Sequence, residues 1–221
     1  MNTKTKIAGI GLFLGLATLL LVAVSPLHLQ ALNPGPMTPG HEALSCTSCH
    51  TEAPGTARQQ IQANLAYLTG FRKAPVAFGY ETPDSNDCSA CHARPDDAHP
   101  LHRFAEPRFV EAVRVVRATT CLGCHREHQG TRVSSNTEFC AACHDDLVVK
   151  NDPVDIPHRI LVAEERWSTC LGCHDYHGNR AREAQKRLAD AFDVQTIRSY
   201  LSDGPDPYGE ARRHPAKGER P

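Results

Sequence analysis

The first feature of the hydrophobic pattern is one uncharged apolar run from Ile7 to Val24, with Lys4 and Lys6 ahead of it and no charged residue after it until Glu42. At an extreme terminus with this flank the run does not read as a buried core helix of a soluble protein. Its 18 residues exceed the roughly 7–15 of a secretory h-region and approach the about 20 that span a bilayer. The lysines ahead of the run keep the start in the cytoplasm and send the rest outward. Residues 1–31 are therefore expected to form an export signal retained as a transmembrane anchor. Val22-Ala23-Val24 and Leu29-Gln30-Ala31 are partial cleavage sites that leave removal open.

Beyond this segment the pattern becomes short and broken. Thr56 to Phe71 and Glu106 to Ala118 read as helices, the second with Phe109, Val113 and Val116 on one stripe and Pro107 suited to a first turn. Ala181 to Leu201 reads as a third amphipathic helix through Leu188, Ala191, Phe192 and Ile197. No stretch alternates with the period of a strand. From Ser202 the Gly, Pro and charge content predicts a flexible polar tail over 202–221, leaving 32–201 as the working domain.

Composition sharpens the problem of the core. Aromatics are 6% of 221 residues, with 15 glycines and 16 prolines, so side chains alone make a thin interior for this length. A formal charge of -1 points to neither nucleic acid nor an acidic surface as partner. The excess lies in 10 cysteines and 13 histidines.

Every cysteine falls in a Cys-x-x-Cys-His unit: Cys46, Cys49 and His50; Cys88, Cys91 and His92; Cys121, Cys124 and His125; Cys140, Cys143 and His144; Cys170, Cys173 and His174. This is the c-type haem attachment pattern. Two thiols at this spacing reach the two vinyl groups of one porphyrin edge, and the following imidazole is carried under the ring to the iron. Zinc would combine cysteine pairs into four-ligand sites and leaves the histidines unexplained, as disulfides do. A thioredoxin-like pair is expected once, beside a strand-helix unit. Five covalently bound haem c groups are expected, supplying the apolar interior that the side chains lack.

A haem with both axial positions filled by protein moves electrons, whereas an open one can bind substrate. Eight histidines remain. His28 lies against the apolar segment and His214 in the polar tail, leaving His41, His99, His102, His128, His158 and His177 as candidate distal ligands for five irons. His128 and His177 each follow an attached histidine by three residues, which on a helix places them on one face, so each should ligate a neighbouring haem. His102-Arg103 leading to Thr120-Cys121-Leu122-Gly123-Cys124-His125-x-x-His128 is matched by His158-Arg159 leading to Thr169-Cys170-Leu171-Gly172-Cys173-His174-x-x-His177. This looks like a duplicated unit and favours His102 over His99. Met37 is the one exported methionine.

The five attachment units and the two Cys-Leu-Gly-Cys-His-x-x-His segments resemble the multihaem class III cytochromes c, over about His41 to Arg180. The resemblance implies closely spaced bis-histidine haems and low-potential electron transfer in a bacterial periplasm. A fifth site and an apparent anchor depart from the tetrahaem pattern. The expected fold is mainly α with extensive loops, short helices wrapped round a stack of haems. The expected function is a pentahaem electron carrier without catalytic residues, on the periplasmic side of the inner membrane, or soluble in the periplasm if the segment is cleaved. Its partners would be periplasmic or membrane redox proteins. The alternatives are an anchored quinol dehydrogenase, which the anchor suits, and a small-oxyanion reductase, which needs an open haem.

Overall fold

The computed structural model describes residues 3–24, 35–136 and 139–218. The chain divides into two units, Met1–Pro36 and Met37–Pro221. In the first, helix α1 (Thr3–Val24) runs 22 residues, about 33 Å at 1.5 Å per residue. Side-chain burial is described only for 9–21 of it, and among the described residues no helix is long and apolar enough to cross a membrane. His28 lies outside the described residues.

The second unit is short helices and loops. α2 (Ala57–Leu68) begins at Thr56, whose hydroxyl caps Gln59 N–H while Gln59 reaches back to Thr56 N–H. The buried Gln60 then closes a loop onto this helix: its amide donates to Ala53 O at 3.0 Å and accepts from Gly79 N–H at 3.0 Å. Asn64 does the same with both backbone groups of Val76, each at 3.1 Å. α3 (Ser85–Ser89) leads into Cys88 under a capping box from Asp84 and Asp87. A 3-10 turn at Pro107–Phe109 feeds α4 (Val110–Val116), which Arg117 ends in a left-handed conformation at φ 53°. α5 (Ala141–His144), α6 (His158–Ala163), α7 (Cys170–Cys173) and α8 (Val194–Ser202) follow. Among the described residues there are no strands, only isolated bridges Glu52–Tyr80 and Arg180–Arg212.

Two expectations are corrected. The helix expected over Ala181–Leu201 is confined to α8, because Asp193 caps the N–H groups of Gln195 and Thr196 and so fixes the start at Val194. Of the stretch after Ser202, expected as a flexible tail, residues 203–218 fold back onto the domain. Tyr208 is buried and donates to Leu171 O at 2.5 Å. Asp206 pairs with Arg180, Asn179 ties down His214, and Lys217 N–H reaches Cys91 O at 2.9 Å. Composition reports the polarity of this segment and is blind to these long-range partners. The fully apolar core is small: Leu171, Ile197 and Tyr208, with Phe139, Tyr176, Phe192, Tyr200 and Leu201 packed on it.

Candidate haem-binding sites

None of the ten cysteines is joined in a disulfide, and each pair sits on a tight backbone turn. The turn is set by backbone bonds from the histidine N–H to the first cysteine's carbonyl, at 2.9 Å for His50, His92 and His125, 3.0 Å for His144 and 2.8 Å for His174. In the two Leu-Gly units the glycine is a packing requirement. A Cβ on Gly123 would collide with Arg117 O, and one on Gly172 with Phe192 O.

Each of the five attached histidines faces one other imidazole. The ring centroids are 6.4 Å apart for His50–His128, 5.8 Å for His92–His41, 6.0 Å for His125–His177, 6.1 Å for His144–His99 and 6.1 Å for His174–His158. Two imidazoles on opposite sides of one metal ion, with metal–nitrogen bonds of about 2 Å and ring radii of about 1.1 Å, have centroids roughly 6 Å apart. Among the described residues the groupings stop at such pairs: no set of three or more His, Cys, Asp or Glu gathers as a metal site.

His102 is the candidate left outside this arrangement. It is exposed on a 3-10 turn, Leu101–Ala105, and His99 takes the position opposite His144. The segment around His99 is stitched to the far end of the chain: Ala98 N–H donates to His177 O at 3.0 Å, His99 Nδ1 bonds Tyr176 O at 2.6 Å, and His177 Nδ1 bonds Asp97 at 2.8 Å. Local alignment of the two repeats carries no information about that link. His128 and His177 do face imidazoles of other units. They are not on helices, however: both lie in turns, His128 with φ 63°.

The orientation of the rings comes from their Nδ1 partners, most of which the sequence does not reveal. His50 bonds Glu81 O at 2.8 Å and His125 bonds Arg132 O at 2.7 Å. Arg132 is itself anchored on the end of α8 through Tyr200 O at 2.8 Å. Carboxylates hold three others: Glu127 for His41, Asp152 for His158 at 3.0 Å and Asp97 for His177. An Nδ1–H donated in this way leaves Nε2 as the lone-pair donor. Burial pushes the pKa values of His99, His125 and His174 down, which favours the neutral, ligating form. At Asp97 burial works upward, but the hydrogen bond and charge of His177, with His99 N–H and Arg94, outweigh it and hold the carboxyl at about 2. Glu127 is also lowered: burial is overcome by Thr38 and His41.

The residues fit the porphyrins that the cysteine pattern implies. A cavity of about 300 Å³, lined mainly by apolar groups such as Leu147, Leu161 and Trp167, opens onto both the His144–His99 and His174–His158 pairs, with Cys140, Cys143, Cys170 and Cys173 in its wall. Between units, the sulfurs of Cys88 and Cys121 are near neighbours, as are those of Cys140 and Cys170.

In comparison with known proteins, residues 39–145 match a family model described as Cytochrome c3. That stretch holds the first four attachment units and ends just past His144. No curated protein and no solved structure matches the chain.

Proposed function

Because residues 39–145 belong to the Cytochrome c3 family, making this a multihaem electron-transfer protein with covalently bound c-type haem, we propose that it carries five haems, each between two histidines. The observation that carries the reading is the set of five imidazole pairs, each joining one attached histidine to one of His41, His99, His128, His158 and His177 at haem-spanning distance. When bound, each haem supplies a reversible one-electron iron couple whose potential follows its axial ligands and surroundings.

The chain's own residues do the rest. Ten sulfurs fix the five rings covalently, and Nδ1 acceptors hold the imidazoles in the ligating tautomer. The carboxylates on His41, His158 and His177 make those three ligands more electron-rich, which favours the oxidised state at their sites. Cys88 beside Cys121 and Cys140 beside Cys170 bring the attachment edges of neighbouring sites together, the arrangement a carrier needs for transfer along a row. With a second imidazole opposite every attached histidine, no position is left for a small oxyanion.

The helix Thr3–Val24 supports delivery of the domain to the periplasmic face of a membrane, where the partners of such a carrier are redox proteins. Intact mass of the mature protein distinguishes an anchor from a removed signal. A pyridine haemochrome assay against protein concentration tests the count. Five haems per chain are expected, and four would remove one attachment unit from the proposal.

A further inference from the structure

Four of the five imidazole pairs have moderately inclined planes: 29° for His50–His128, 43° for His41–His92, 23° for His125–His177 and 37° for His158–His174. The His99–His144 pair is crossed at 89°. The cause lies on the His99 side. Its ring stacks on Tyr176 at 4.2 Å with 9° between planes, and its Nδ1 is bonded to the backbone oxygen of the same tyrosine. Tyr176 is wedged in turn, edge-on to His177 at 4.9 Å and against Phe139 at 5.3 Å. His99 therefore has neither a free face on that side nor freedom to rotate about its bond to the chain.

The geometry points to Tyr176 as a positioning residue that holds the His99 imidazole crosswise to His144 and so makes the haem at Cys140, Cys143 and His144 electronically distinct from the other four. The inference rests on the five-pair reading above. Imidazole planes select which iron d orbitals they overlap. Nearly parallel planes act on one orbital and split the pair, whereas crossed planes act on both and leave them close in energy. A low-spin ferric iron between crossed rings therefore gives a strongly anisotropic paramagnetic signal, and orientation of an axial ligand is one of the protein's levers on a haem.

Low-temperature electron paramagnetic resonance of the oxidised five-haem protein tests this. The wild type is expected to show one large-g, highly anisotropic low-spin component per chain beside four rhombic ones. His99→Ala should abolish that component. Tyr176→Leu should convert it to a rhombic signal while the other four stay in place, and Tyr176→Phe, which keeps the ring and the backbone oxygen, should retain it. Absence of the large-g component from a wild type with five low-spin haems overturns the inference and leaves the five-pair reading standing, as does its persistence in Tyr176→Leu. A wild type with fewer than five haems, or with a stoichiometric high-spin signal, overturns both.

Discussion

His99 and His102 are three residues apart, and the duplicated unit favours His102 where the structure sets His99 opposite His144. His102 aligns with His158 across the duplicated unit, yet it sits exposed on a 3-10 turn, while His99 is pulled inward by bonds to residues nearly eighty positions away. His102→Ala should leave every haem low-spin, whereas His99→Ala should generate one high-spin ferric haem, visible in the optical charge-transfer region. Glycine in the Leu-Gly units carries a comparable constraint. Gly172→Ala forces a methyl group into Phe192 O, so the backbone of the last unit must shift. We expect destabilisation of about 1–3 kcal/mol, the usual cost of overpacking, measured by denaturant unfolding of the loaded protein. The attachment residues were readable because their chemistry depends on spacing within five residues. The Nδ1 partners Asp97, Glu127 and Asp152 were not, because carboxylates on the surface and carboxylates on a ligand look alike in sequence.

Elements here serve to fix loops. α2 lies within the helix read over Thr56 to Phe71, and the structure adds its Thr56–Gln59 box and the clamp that Gln60 and Asn64 on it place on residues 76–79. Glu81, just beyond, presents its carbonyl to His50. Gln60→Ala strands Gly79 N–H and the buried oxygen of Ala53, and is expected to cost about 1–3 kcal/mol, with the first haem showing the earliest spectral change on heating. α8 depends on its cap. Backbone and side-chain hydrogen bonds from Thr196 and the N–H of Gln195 lower the pKa of Asp193. A carboxyl depressed on folding contributes stability that is present above its unfolded pKa of about 3.9 and is lost as pH falls through the lower folded value. Asp193→Ala should therefore melt below the wild type at neutral pH, and the two should converge as the pH drops below that range. The helix expected over 181–201 was too long because its apolar spacing continues upstream of the cap, where the chain makes a 3-10 turn at Leu188–Asp190 in place of an α-helix.

At the scale of the molecule, the sequence predicts a thin side-chain core, and the second unit has one: Leu171, Ile197 and Tyr208 form its buried apolar cluster. A cavity lined mainly by apolar groups opens onto two of the histidine pairs. A chain with all ten cysteines changed to alanine, unable to retain haem covalently, should show little of the native helical signal by circular dichroism, because burying the porphyrins provides most of the driving force for folding. The segment beyond the family match is part of this construction. It places His177 opposite His125, His158 opposite His174, and Tyr176 against His99. Such interdependence was only half visible in sequence: the His-x-x-His spacing indicates that a histidine serves a neighbouring site, but not which one.

Spin quantitation of the fully oxidised, haem-loaded protein at low temperature reads whether five irons are each held between two imidazoles. Five low-spin ferric haems per chain with no stoichiometric high-spin component are expected. A high-spin signal approaching one per chain in the unmodified protein would contradict that arrangement, because at least one of the five imidazole pairs would then not close on its iron.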